Sequence, residues 1–456
     1  MMSSKLNGLV RASLTLAFLH SGSANATPTA AEIDTYFRPY VETNNFSGSV
    51  LIQRGDRTLF AKSYGFADRD QRKPNGPATR FHIASLSILF TSTAVLRLID
   101  QGKLSFDTRV ADIVAGVPNG GKITIRNLLE QNSGLPDAND DLPNYDDLLN
   151  SHQTPESLIA QIRNLPPHSE PGGESQREEH SGQNLLALII ESKTGLTFAQ
   201  AMKAEVFDPF GMHDSGIDDD GPIRDPVAKG YQVSGTFGLK PAPLIHWSAK
   251  SGNGSAYTTV SDELKWLRGL VRGGLLSKSS REAMLGITNG YGWWRQTNAA
   301  LGQTVYLSNG RAPGFSSRME YLPDEDLAII ALTNIENEAS PTIVSDVAAL
   351  VMEKPSPAFQ YSPVAPEVVG RPAGEFVFGP DFYRSSATLS LVSGPDGVTL
   401  NWPGGPAEPL LPIGKDRFMG RYYWTQTMIV RDSAGNPVGL DYGKFHGQLR
   451  TSTKGN

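Results

Sequence analysis

Between Phe81 and Gly102 the chain sets a serine at the start of an apolar helix. Leu89, Val95, Leu96, Leu98 and Ile99 recur at helical spacing, and Gly102 stands where such a helix stops. Ser85 precedes the run, so its hydroxyl is expected at a helix N-terminus, where unpaired backbone N–H groups favour negative charge. Upstream, Phe46–Gln53, a polar Arg54-Gly55-Asp56 turn and Thr58–Ala61 alternate apolar and polar residues, the pattern of a half-buried β-hairpin that would open an antiparallel sheet.

Other segments accompany these two. Ile123–Pro136 reads ITIRNLLEQNSGLP, and Leu185–Gly195 reads LLALIIESKTG, a buried helix. Arg311–Ser317 reads RAPGFSS and is followed by Tyr321–Asp324 and Ala328–Asn334 as further strands. With the FHIASLSILF stretch from Phe81, they resemble the serine β-lactamase and penicillin-binding protein superfamily, in its branch of class C β-lactamases, esterases and D-aminopeptidase-like proteins. The resemblance covers about residues 35–350. It implies an α/β fold, an antiparallel sheet flanked by helices plus an all-α subdomain, with the site between subdomain and sheet. Function still has to be argued from that site.

At the motif positions the residues depart from the superfamily. Its nucleophile motif is S-x-x-K, with the lysine one helical turn after the serine; here it reads Ser85-Leu86-Ser87-Ile88. A serine hydroxyl needs a base, and Ile88 can neither accept nor donate a proton. The second motif, Y-x-N, corresponds to Glu178-Glu179-His180, with a register uncertainty of one residue. The third, normally Lys-Thr-Gly or His-x-Gly, corresponds to Ser308-Asn309-Gly310. Losing one general base typically costs about 10²–10⁴ in rate, and dismantling a nucleophile–base unit about 10⁶. Ser85 is then expected to be a poor acylation nucleophile and a marker of the cleft, unless His180 or Glu178 substitutes as base.

The replacing residues suggest other chemistry. Glu174, Glu178 and Glu179 crowd into the cleft-mouth segment, and Asp137, Asp140 or Asp141 is a candidate second carboxylate. Paired carboxylates with divergent pKa values are the apparatus of glycoside hydrolysis. Tyr291, Trp293, Trp294 and Trp247 are candidate rim aromatics for a sugar, and Arg311, Ser308 and Asn309 candidate substrate contacts. Each has a plainer alternative. The glutamate pair then forms a solvated loop, the tryptophans pack, His180 is a hydrogen-bonded loop residue and Arg311 faces solvent.

Composition narrows the partners. A net charge of −6 with no Lys/Arg cluster disfavours nucleic acid, the absence of cysteine removes disulfides and thiolate metal sites, and the eight histidines show no paired ligand spacing. No metal or cofactor is expected. Residues 1–26, with Lys5, Arg11, a short apolar run and Ala24-Asn25-Ala26, resemble a signal peptide, implying a periplasmic or secreted bacterial protein without a membrane span in the mature chain. Residues 27–353 are expected to form the domain that the resemblance implies. Residues 354–372, rich in proline, read as a linker, and residues 373–456 as a small β-barrel or sandwich. The leading expectation is a hydrolase acting by carboxylate catalysis on a periplasmic glycan or other cell-wall-derived substrate. A non-catalytic glycan- or peptidoglycan-binding relative is second, and a serine esterase or peptidase using Ser85 third.

Overall fold

The computed structural model describes residues 28–173, 179–356, 359–361, 374–405 and 407–450. The expected signal segment and most of the proline-rich stretch lie outside the described residues. The main domain is built on a seven-stranded antiparallel sheet. Its spatial order is Asn289–Gly290, Trp293–Asn298, Gln303–Ala312, Phe315–Leu322, Leu327–Thr333, Gly48–Arg54 and Arg57–Tyr64.

The sheet separates two cores, and the two-residue period of a strand feeds both. In Leu327–Thr333, which is buried throughout, Ala328, Ile330 and Leu332 join a core that contains the Ile88–Asp100 and His180–Thr194 helices. Leu327, Ile329 and Ala331 point the other way, into a core with Ile33, Phe37, Ile343 and Val347 of the Ala30–Glu42 and Ala339–Val351 helices. The hairpin expected around Arg54 forms, with Arg54 opposite Arg57. Its first strand is not half-buried, however. It lies between Leu327–Thr333 and Arg57–Tyr64, and residues 48–52 are buried on both faces.

The helix after Ser85 spans Ile88–Asp100 and ends before Gly102, whose φ of 72° a side chain would strain. Ser85 itself lies just outside it, in a 3₁₀ turn over Ala84–Ser87. Beyond the main domain, eight strands from Gly374–Phe378 to Phe445–Leu449 close a barrel in chain order, sealed by Phe376 opposite Leu449. The barrel is filled by Leu389, Leu391, Leu400, Leu410, Phe418 and Leu440. It is fastened to the main domain by Arg421. This fully buried side chain donates to the carbonyls of Thr43, Asn44, Ser234, Gly235 and Gly238 and to Asn45 Oδ1, at 2.8–3.3 Å. Phe359, within the expected linker, packs on Tyr40 and Trp424. Among the described residues no helix is long and apolar enough to cross a membrane.

Candidate functional site

The turn carrying Ser85 is clamped from two sides. Ile83 N–H donates to Ala256 O at 3.1 Å, and Ser317 Oγ donates to Ile83 O at 2.7 Å. The clamp holds Ala84 at φ 49°, a left-handed conformation rare for alanine, which projects Ser85 from the turn. Ser85 is partly exposed, and neither its hydroxyl nor its backbone N–H has a hydrogen-bond partner among the described residues. The Gln303–Ala312 strand lies directly against it. A Cβ at Gly310 would sit 2.0 Å from Ile83 O and 2.8 Å from the nitrogens of Ser85 and Leu86, so only glycine permits this approach. The neighbouring strand pairs with this one only as far as Leu307, which leaves the edge from Ser308 to Ala312 facing the cleft.

Ile88 is buried one turn after Ser85, beneath Gly292, where a Cβ would lie 3.2 Å from its own. Ser308 is buried within the cleft strand, its hydroxyl without a hydrogen-bond partner among the described residues, and Asn309 is partly buried. Arg311 is exposed yet engaged. It pairs with Glu338 at 3.0 Å and lies 5.0 Å over the ring of Tyr422, a barrel residue whose hydroxyl donates to Glu336 at 2.8 Å. The barrel thus reaches the residue next to Gly310.

The expected aromatic rim is corrected. Tyr291 and Trp293 are only 1% exposed, and Trp293 stacks on Trp266 in the core. Trp294, its neighbour in the same strand, points to the opposite face and packs in the second core. Alternation along a strand with packing on both faces leaves neither tryptophan free as a platform. Trp247 is buried as well, stacked 4.0 Å from His82.

The acidic cluster is also reassigned. Glu174 and Glu178 lie outside the described residues, as does the side chain of Asp140. Glu179 is half-buried and engaged by the protein rather than part of a solvated loop. Its Oε2 accepts from Ser133 N–H and Oγ, and its Oε1 from Gly134 N–H, at 2.6–3.0 Å, which clips down the Ser133-Gly134-Leu135 turn. Burial holds its carboxyl above the ordinary range despite these donors. Asp137 caps the short helix after that turn and accepts from His180 Nδ1 at 2.9 Å. Burial pushes Asp137 up, but the hydrogen bond and charge of His180, together with the N–H groups of Asn139 and His180, hold it low. Asp141 supports the group by accepting from Asp137 N–H at 2.6 Å and pairing with His168 at 2.7 Å.

One residue absent from the sequence-based candidates stands out. Lys250 ends the 3₁₀ turn Trp247–Lys250, and its Nζ donates to Tyr145 Oη at 3.0 Å, its one side-chain hydrogen bond among the described residues. Gly254 links it to the nucleophile turn. A Cβ there would lie 3.2 Å from Lys250 Cβ and Cδ and 3.6 Å from Ala84 C, so the lysine stem passes the peptide that leads into Ser85. Burial pulls its ammonium down to about 8, although the charges of Asp137 and Glu336 oppose the shift. Nothing in the local HWSAKSGNG sequence marks this lysine; its placement depends on segments far apart in the chain. Among the described residues no group of three or more His, Cys, Asp or Glu side chains could hold a metal.

The family profile described as Beta-lactamase matches residues 33–352, more than half of the chain. Penicillin-binding protein 4* of Bacillus subtilis (strain 168) is 29% identical over 331 residues, covering 67% of this chain and 72% of that one. The crystal structure of a penicillin binding protein from Bacillus halodurans is similar at a TM-score of 0.60 with 29% identity, over 70% of this chain and 98% of that one. The octameric penicillin-binding protein homologue from Pyrococcus abyssi shares the fold over 92% of this chain and 99% of its own, at a TM-score of 0.64 and 21% identity.

Proposed function

The chain belongs to the Beta-lactamase family, and on that premise we propose that it hydrolyses acyl bonds, taking the acyl group onto Ser85 with Lys250 as the base. The observation that carries this reading is a desolvated amine, its pKa pulled down to about 8, whose stem runs near the peptide leading into a serine with an uncommitted hydroxyl. Ile88 removes the base from its usual place one turn after the serine, and Lys250 supplies an amine from another segment. Neutral Lys250 accepts the Ser85 proton as the oxygen attacks a carbonyl carbon, and Tyr145 orients the amine. The Ser85 N–H and the free edge of the Gly310 strand stabilise the developing oxyanion. The C–N or C–O bond then breaks, and the leaving group takes the proton from Lys250. Water, deprotonated by the same amine, releases the acyl group. The names of the relatives make penicillin-like lactams the first substrates to try, and the N-terminal pattern supports an extracytoplasmic site of action.

A glycosidase reading rests on one observation, that Glu179 is held high while Asp137 is held low, the split an acid and a base need. It is second because hydrogen bonds to the protein already engage both carboxylates. A fluorophosphonate reagent followed by peptide mass mapping separates the two. The acyl reading expects one adduct on Ser85, absent in Ser85→Ala and formed at least a hundredfold more slowly in Lys250→Met. No adduct, together with oligosaccharide cleavage that disappears in Asp137→Asn, establishes the second reading instead.

A further inference from the structure

Lys250 keeps its hydrogen bond to Tyr145 only while the turn that carries the lysine stays against the helix that carries the tyrosine. These two pieces, Trp247–Lys250 and Tyr145–Leu149, are joined by one main-chain hydrogen bond, from His246 N–H to Leu149 O at 2.8 Å, which by itself leaves their angle free. A second tie comes from a third segment. Asp220 Oδ2 accepts from Ser248 Oγ at 2.6 Å and from His152 Nδ1 at 2.8 Å, and lies 3.1 Å from His246 Nδ1. Ser248 stands two residues before Lys250, and His152 three after the end of the Tyr145 helix, so one carboxylate oxygen spans both pieces.

A carboxylate suits this position because it only accepts. It takes the single proton of the buried Ser248 hydroxyl, whose oxygen is left to accept from Gln153 N–H at 3.0 Å, a further bond between the two pieces. Burial pushes the Asp220 carboxyl up, but the hydrogen bonds from Ser248, His152 and His246 hold it below its ordinary range, so it stays an acceptor at neutral pH. The loop is itself anchored beside the nucleophile. Asp220 N–H donates to Asp218 Oδ1 at 2.9 Å, and Asp218 Oδ2 lies 2.8 Å from Nε2 of His82, three residues before Ser85. We propose that Asp220 is a positioning residue for the Lys250 base, fixing the lysine turn against the Tyr145 helix through Ser248 and His152. The proposal rests on the acyl-hydrolase reading, in which Lys250 is the base.

The test reads the lysine itself in the full chain. Labelling with acetic anhydride across a pH series, followed by peptide mass mapping with the exposed Lys103 as internal reference, gives the midpoint at which the Lys250 amine becomes reactive, about 8 in the parent protein. In Asp220→Ala the turn parts from Tyr145, water reaches the ammonium, and the midpoint rises by about one pH unit or more toward 10.5. Loss of a negative charge alone would move it the other way, because an anion favours the ammonium form. Asp137 and Glu336, whose charges act on Lys250, and its partner Tyr145 are left in place. Asp220→Asn keeps an oxygen for Ser248 and should restore the parent midpoint. Ser248→Ala removes the link to the lysine turn alone and should reproduce the rise, which also covers the case in which Asp220→Ala does not fold. Fluorophosphonate capture by Ser85 at pH 8 should slow by about fivefold or more in Asp220→Ala. An unchanged or lowered midpoint in the folded variants overturns the positioning role and leaves the serine reading standing. A raised midpoint with unchanged capture at Ser85 supports the positioning of Lys250 and fails only its assignment as the base.

Discussion

Among the described residues burial lowers the proton affinity of two cations, Arg421 and Lys250, and the protein treats them oppositely. Arg421, where the barrel meets the main domain, spends its guanidinium on five carbonyls and an amide oxygen. Lys250, in the cleft, has a single phenol for a donor that can serve three acceptors. Burial lowers the proton affinity of both. A buried cation whose donors are all engaged is a fastening, and one with donors to spare can take part in chemistry.

The contrast breaks most visibly on stability. Arg421→Met should cost about 3–5 kcal/mol, because it leaves several buried carbonyls unpaired, and should loosen the barrel. Urea unfolding with limited proteolysis between residues 356 and 374 reads both effects. Lys250→Met should act in the opposite direction. The folded-state pKa of Lys250 lies near 8, below its ordinary value of 10.5, so the charged form penalises folding below pH 8, and the penalty fades as pH rises toward 10.5. Removing the amine should therefore stabilise the protein at pH 7 by about 1–3 kcal/mol. Two destabilising results would erase the distinction between fastening and reagent.

Activity should separate the same residues next. Lys250→Met is expected to lower kcat/KM by about 10²–10⁴, and in the parent protein the rate should climb with pH through about 8 as Lys250 becomes neutral. A pH–rate profile whose rising limb survives in Lys250→Met would assign the base elsewhere. Glu179→Gln should cost about 1–3 kcal/mol in unfolding free energy, because an amide cannot accept from Ser133 and Gly134 on both of its atoms. Tyr145→Phe is the mildest change, with a rate loss of about tenfold from the missing hydrogen bond and a rising limb that persists.

Much of the fold was legible because it is written in period. The apolar spacing after Ser85 and the stop at Gly102 were read to within a residue of the observed helix. Four barrel strands were also visible as short runs at Glu375–Phe378, Thr388–Val392, Val398–Trp402 and Met428–Arg431, and they are observed at 374–378, 388–394, 397–401 and 426–431. The other four escaped notice because Pro409, Pro412 and Pro437 and short, glycine-broken runs blur their alternation. Within the site, Ser85 and Gly310 were found from the resemblance to the superfamily's first and third motifs. Trp293 and Trp294 were misjudged because composition says nothing about which face of a strand is packed, and here both faces are.

By itself the sequence determined the family, the serine-bearing turn before a buried helix, and the absence of an amine at position 88, since each depends on neighbours within a few residues. Only the tertiary structure decided that Lys250 passes the Ser85 turn, that Glu179 clips the Ser133 turn, and that a barrel tyrosine stands over Arg311. These are contacts between segments remote in the chain, and their energetics depend on desolvation, which exists only once the layers have closed around them.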